Sequence, residues 1–308
     1  MRTTPPHPTF VATLAAVTLL AGGAVAGASS SSPSLGSAIS SLASGSVIND
    51  PSCLPSSAHP HPVVILHGTS ANMWEFNKLA RYLKDEGYCS YGINYGKELL
   101  TAQAIVPSLY GTADLNSSSE EVAGFIDNVL EQTGAEKVDI VAHPQGALQA
   151  KNYISRFGNA DKVDRVVTMC ASLHGTTLNG SGDFLLKLVT AMPSLTAFFA
   201  STAAIQQLAG SATMAEANSF PDTAAGVTYT SLFSPNDTTV TPNSASYFSP
   251  VPGANVVNLD AEAACSPDTP ITHPDMPAHP TIVALTKWGL ERPTDEVLPS
   301  AEDCAPLA

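Results

Sequence analysis

The sequence predicts an α/β protein, a mostly parallel sheet with helices on both faces. Three observations carry that prediction. Short apolar runs recur along the chain, as they do in strands buried on both sides. Segments with helical periodicity alternate with them, the rhythm of successive strand–helix–strand units. The 24 prolines and 21 glycines among 308 residues cut the chain into many short elements, which excludes a helical bundle or a coiled coil.

The elements follow in order. Residues 62–66 (PVVIL) read as a buried strand. From 72 to 86, Met73, Phe76, Leu79, Ala80 and Leu83 recur at helical spacing. Residues 89–94 read as a second strand. Ser118 and Glu121 form a capping-box pattern, followed by Val122, Phe125, Ile126, Val129 and Leu130, with Gly134 as the stop. Residues 138–142 (VDIVA) are the next strand. Residues 145–157 are helical, with Ala147, Ala150, Ile154 and Phe157 on one face, and 163–169 are again a strand. Residues 176–222 break the rhythm. They are rich in Leu and Phe, are interrupted by Pro193, and read either as packing helices or as a helical cap over a pocket; the cap is adopted here. Strand patterns return at 227–233 and 255–259, and a helix over 281–290 closes the sheet.

Composition narrows the function. With 13 Lys and Arg against 27 Asp and Glu, the formal charge is −14. No basic run is present, so nucleic acid is excluded as a partner, since phosphate binding needs clustered cations. Arg2 is the only charged residue before Asp50, residues 10–26 are apolar and small, and Ala24-Val25-Ala26 has the form of a cleavage site. Residues 1–28 therefore read as a secretory signal peptide. The apolar run is short for a bilayer span, so the mature chain should hold no stable transmembrane segment. Residues 29–49 read as a Ser/Ala/Gly-rich tether, 50–292 as one folded domain and 293–308 as a C-terminal tail.

Export, to the medium or the cell envelope, permits disulfides. Cys53 precedes the first strand and Cys89 starts the second, so the two should pair. Cys265 with Cys304 is the second candidate, fastening the tail. Cys170, at the end of an apolar strand, should be a buried free thiol. No C-x-x-C pair occurs, so no structural zinc, and no cofactor, is expected.

The chemically informative segment is Val138-Asp-Ile-Val-Ala-His-Pro-Gln-Gly-Ala147. A buried strand enters a tight turn with small residues at Ala142 and Gly146, then a helix. This is the frame of a nucleophile elbow, whose small flanks let strand and helix approach closely. His143 lies inside the turn. The central position should be serine and is Pro144.

The motifs His67-Gly68-Thr69, 87–96 (GYCSYGINYG), the elbow, His174-Gly175-Thr176, Gln206-Gln207 with Gly210-Ser211, 226–230 (GVTYT), 237–242 (DTTVTP) and Cys265 through His273 follow one another in this order. With them the chain resembles the secreted α/β-hydrolase lipases and esterases of actinobacteria. The resemblance implies the α/β-hydrolase fold with a cap over 176–222 and hydrolysis of carboxylic esters, acylglycerols or short-chain esters, by a Ser-Asp-His mechanism. It implies Asp237 as the acid and His273 as the base, in the chain order nucleophile, acid, base. His279 is the competing base, and His174 is read as a pocket wall. The oxyanion hole would take one backbone N–H from Gln145 and one from Thr69, with Ser70 as its neighbour.

Pro144 alters that expectation. It has no hydroxyl, so no acyl-enzyme forms there. It also holds φ near −65°, whereas the elbow nucleophile sits at positive φ. The turn should relax and carry the Gln145 amide with it. Three readings stand: an impaired lipase or esterase, a non-catalytic lipid- or acyl-binding protein, and a recent Ser-to-Pro change or sequence error, one base apart. Ser70 and Ser172 are the only alternative nucleophiles weighed. The sequence leaves the oligomeric state open.

Overall fold

The computed structural model describes residues 46–99, 102–192, 200–267 and 269–305. The expected signal peptide and most of the expected tether lie outside them. Six strands form one sheet: β1 (Val63–Leu66), β2 (Ser90–Ile93), β3 (Val138–Ala142), β4 (Val163–Met169), β5 (Thr228–Phe233) and β6 (Asn255–Asp260). Their spatial order is β2-β1-β3-β4-β5-β6 and every pairing is parallel. This is the α/β architecture the sequence predicts.

Alternation of side chains across the pleat builds two cores. Val63, Ile65 and Val141 point to one face and pack with helix α1 (Asn77–Asp85) and the last helix. Val64, Leu66, Ile140 and Ala142 point to the other and pack with helix α2 (Leu115–Thr133) and helix α3 (Gln145–Lys151). Each fully buried Val, Leu or Ile contributes about 1.5–3 kcal/mol, so the sheet's central strands hold both layers. After α3 come α4 (Gly182–Ala191), α5 (Thr202–Gln206), α6 (Ala212–Ala217), α7 (Ala261–Cys265) and the last helix, α8 (Pro280–Glu291).

Several local expectations are corrected. Residues 72–86 are not one helix: Met73–Phe76 form a 3-10 turn before α1. Helix α2 starts at Leu115, earlier than the capping-box pattern implied. Asp114 is its cap, accepting from the Asn116 and Ser117 amides, while Ser118 lies in the first turn and Glu121 receives the Gly96 amide instead. Gly134 ends the helix at φ 67, as expected. Helix α3 passes into a π turn at Asn152–Arg156, which rotates Phe157 out of the apolar face to 37% exposure. At the N-terminal side, Ile48 is fully buried and bridges Ser90, and the Asn49 amide donates to the Ser90 carbonyl. Packing thus begins inside the segment read as tether.

Both expected disulfides are present, Cys53–Cys89 and Cys265–Cys304, and Cys170 is free and buried. The tail is further held by Arg292, whose buried guanidinium donates to Thr230 Oγ1, the Tyr229 carbonyl, Asn255 Oδ1 and the Glu296 carbonyl. Among the described residues no helix is long and apolar enough to cross a membrane.

Candidate functional site

Strand order reverses at β1, with β2 on one side and β3 to β6 on the other. Loops leaving the carboxyl ends of β1 and β3 therefore diverge and open a crevice, the usual place for a ligand in such sheets. A cavity of about 430 Å³ lies there. Its walls come from the loop after β1, the β3–α3 turn, the loops after β4, β5 and β6, and the segment between β4 and β5.

The loop after β1 is held by a buried histidine. His67 stacks on Tyr95, accepts the Tyr95 amide at Nε2 (3.3 Å) and places Nδ1 2.8 Å from the Gly68 carbonyl, to which it donates. Burial pushes its pKa down to about 4, so it is a neutral structural group. Two glycines let the loop and the elbow meet. A Cβ on Gly68 would lie 2.4 Å from Pro144 Cδ, and one on Gly146 would lie 2.3 Å from the Leu66 carbonyl oxygen. Ala142, fully buried, ends β3. Of the small flanks read from the sequence, Gly146 is thus required by contact with the β1 backbone.

Pro144 lines the cavity at φ −70 and ψ −34, a helical conformation. Its carbonyl accepts from the Ala147 amide (3.3 Å) and the Ser172 amide (3.2 Å), with Ser172 Oγ 3.3 Å away. The turn rests as the first step of α3, not at the positive φ of an elbow nucleophile.

Asp237 and His273 come together from separate loops. Asp237 follows β5 in a turn whose Thr239 and Val240 amides donate to Oδ1 at 2.7 and 3.0 Å. His273 opens a 3-10 turn before α8. Its Nδ1 lies 2.8 Å from Asp237 Oδ2, and both residues are buried. Burial pushes the Asp237 carboxyl up, but His273, Cys170 and the loop amides outweigh it and the carboxyl titrates below its ordinary range. Burial pushes His273 down, and although Asp237 opposes this, the net shift is downward, so His273 is neutral near pH 7. Cys170 Sγ, Asp237 and His273 offer ligand atoms within 4.8 Å of one another. Burial and the adjacent carboxylate push the thiol pKa well up, however, so Cys170 stands as a protonated donor to Asp237, a poor metal ligand.

Two features of the site have no signal in the sequence. Glu75, on the 3-10 turn before α1, lines the cavity, accepts the Gly68 amide (3.1 Å) and lies 3.6 Å from His143 Nδ1. Burial raises its pKa, but His143 and that amide more than offset this and keep it ionised. His143 is buried, and its ring centroid is 4.7 Å from that of His273. The second feature is an amide cluster. Thr69 Oγ1 accepts from Gln145 Nε2 (2.8 Å) and Gln207 Nε2 (2.6 Å), Gln145 Nε2 also donates to the Gly111 carbonyl, and Ser172 Oγ donates to Gln207 Oε1. Two incoming N–H groups occupy both lone pairs of Thr69, so its own O–H is a donor. Glu75 falls on the polar side of an apparent helix, and no spacing rule joins it to His143; Thr69, Gln145, Ser172 and Gln207 each stand out in the sequence, but nothing there joins them into one cluster.

The remaining expectations divide. Thr69, Ser70 and Ser172 line the cavity, while Gln145 is fully buried behind it. Ser70 Oγ is engaged with Gln103, and among the described residues neither serine hydroxyl bonds to His273. His279 caps α8 and meets Thr269, away from Asp237. His174 is not a cavity wall; it is held by Asp222, Asn218 and the Tyr247 carbonyl. From 176–222, Thr176, Leu178, Leu185, Ala204 and Gln207 reach the cavity.

Residues 60–263 match the family model described as Lipase (class 2). Among solved structures, lipase B of Aspergillus fumigatus is 18% identical over 76% of this chain and 54% of its own, with a TM-score of 0.56. The chain thus spans about half the length of that lipase, and the likeness is one of fold. The mature form of Bacillus licheniformis lipase BlEst2 is 18% identical over 67% of this chain and 84% of its own (TM-score 0.47). The product of gene lin2722 from Listeria innocua is 16% identical over 77% and 96% (TM-score 0.49).

Proposed function

This chain belongs to the class 2 lipase family of α/β-hydrolases, and from that premise we propose that its cavity takes a carboxylic ester or lipid and that the chain is impaired at the acylation step. The observation that carries this is the buried Asp237–His273 pair at 2.8 Å, in the cavity wall beside a proline. Asp237 is the acid that fixes the imidazole tautomer, and His273 Nε2 is the base. Pro144 stands where the hydroxyl nucleophile belongs, so no bond to the acyl carbon forms there. Thr69 and Gln145 are the backbone donors for the oxyanion. What remains is transition-state stabilisation without a nucleophile, worth at most about 10³–10⁴ over water. Residues 176–222 act as the cap, and residues 1–28 direct export, a reading supported by the two disulfides. The domain runs over about 50–292, with packing from Ile48 onward.

The test is release of p-nitrophenol from p-nitrophenyl butyrate by the protein and by Pro144→Ser. Little turnover in the first, restored turnover in the second and renewed loss with His273→Ala in addition is the expected pattern. Full activity without the substitution overturns the proposal and directs attention to Ser70 and Ser172. One observation favours a second reading, a non-catalytic acyl-binding protein. Leu178, Leu185, Ala204 and Val240 give the cavity an apolar wall while the Pro144 turn is at rest. Tight binding of a fatty acid together with an inactive Pro144→Ser would select it.

A further inference from the structure

The opposite edge of the sheet carries a second cluster that ester hydrolysis does not use. His61 lies two residues before β1, Asp139 is the second residue of β3 and Asp164 the second residue of β4. The three strands are adjacent, so their amino ends bring the side chains together. His61 Nδ1 is 3.8 Å from Asp139 Oδ1 and 3.6 Å from Asp164 Oδ2, and all three ligand atoms lie within 4.8 Å of one another. These separations exceed the 2.7–2.9 Å of a charge-assisted hydrogen bond. They come close to the roughly 3.3 Å between ligand atoms set tetrahedrally about 2.0 Å from one ion.

The second observation is independent of the spacing. The Asp139 side chain is 7% exposed and its Oδ1 is buried with no hydrogen-bond partner, while the residue lines a cavity of about 340 Å³. An unpartnered carboxylate oxygen in such a place is costly unless a cation or donor meets it. Nearby cations do not fill that role. Lys137 Nζ and Arg165 Nε approach Asp164, at 3.8 and 3.5 Å, and both are partly exposed. The cavity also holds His59, Tyr88 and Glu291, leaving room for a fourth ligand or water.

We propose that His61, Asp139 and Asp164 form a binding site for a divalent transition metal, zinc in the first instance. One imidazole nitrogen and two carboxylate oxygens suit zinc better than calcium or magnesium, which take oxygen ligands alone. The ion would tie the segment before β1 to the starts of β3 and β4, a structural role away from the catalytic edge. The expectation of no zinc rested on the lack of paired cysteines. This ligand set has no sequence motif, because its members are 78 and 25 residues apart.

The test uses the full chain, purified without a metal-affinity tag, stripped with chelator and titrated with zinc sulfate. Calorimetry should show one strong site per chain, and the melting midpoint should rise by about 5–10 °C at roughly a hundredfold excess over Kd. His61→Gln with Asp164→Asn, both partly exposed positions that a folded chain tolerates, should weaken binding at least tenfold and abolish the rise. Retained affinity in that double variant overturns the proposal, most plainly if His273→Ala then removes it, since the ion would be at the Asp237–His273 pair. A rise with calcium but not with zinc overturns the choice of metal, and no binding of either overturns the site.

Discussion

Replacing Pro144 with serine tests both the chemistry and the backbone. Pro144 sits at φ −70 with the Ala147 and Ser172 amides donating to its carbonyl. A serine acting as elbow nucleophile must leave that conformation for positive φ, at about 1–3 kcal/mol. It also frees the unfolded chain, costing about 0.4–1 kcal/mol. Loss of one carbonyl hydrogen bond adds about 1 kcal/mol. The sum, about 2–5 kcal/mol, lies within the stability of a domain this size and predicts a fall in melting midpoint of about 4–20 °C. Catalysis should move the other way. Removing a triad serine costs up to about 10⁶ in turnover, so kcat/KM for p-nitrophenyl butyrate should rise between about 10³-fold and 10⁶-fold. Calorimetric melting and ester hydrolysis on the same preparations measure both numbers. A folded Pro144→Ser protein whose kcat/KM rises less than tenfold would refute the assignment of Pro144 to the nucleophile position. A gain in activity with no loss of stability would refute the strain argument alone.

Other outcomes follow from the same geometry. In Pro144→Ser, kcat/KM should fall on acidification with a midpoint below 6.5, because burial holds the His273 pKa down despite Asp237; a midpoint above 7 would contradict that environment. His67 has a folded pKa of about 4 against 6.5 when unfolded. Below pH 6.5 the unfolded chain takes up a proton that the folded chain refuses, so stability should drop by about 3 kcal/mol between pH 6.5 and 4 and no further from this group. Urea midpoints across that range measure it, and an unchanged slope in His67→Gln would clear His67. Lys151 is 2% exposed and its Nζ lies 2.7 Å from Asp222 Oδ1. Lys151→Met should cost about 1–3 kcal/mol, because Asp222 loses its lysine but keeps His174 and the Ser249 amide, and no measurable loss in chemical unfolding would contradict it.

The sheet was legible because parallel strands buried on both sides need mostly apolar runs, and 62–66, 138–142 and 163–169 supply them, with charges only near the amino ends of the last two. Gly146 was legible as a small flank because the backbone of Leu66 touches it there. Residues whose roles depend on partners distant in sequence were not. Nothing near Glu75 announces that it turns inward to His143, and nothing near His61 announces Asp139 and Asp164. The capping-box pattern at Ser118 and Glu121 misplaced a helix start because Asp114, four residues earlier, captures the first amides. The positions of Asp237 and His273 could be proposed only from the order of motifs, since each sits in an irregular loop.

The bond between Cys265 and Cys304 has a further meaning for the molecule as a covalent object. It closes a ring that contains His273, all of α8 and Arg292. A protease that cuts the exposed stretch after Arg292 opens the ring without releasing either piece. The nicked chain stays in one piece until a reductant is added, and His273 and α8 stay on the larger fragment through the backbone itself. Under reducing conditions the same cut releases the piece that begins at Pro293 and carries Cys304. Fragment patterns on reducing and non-reducing gels will therefore differ by that small terminal piece.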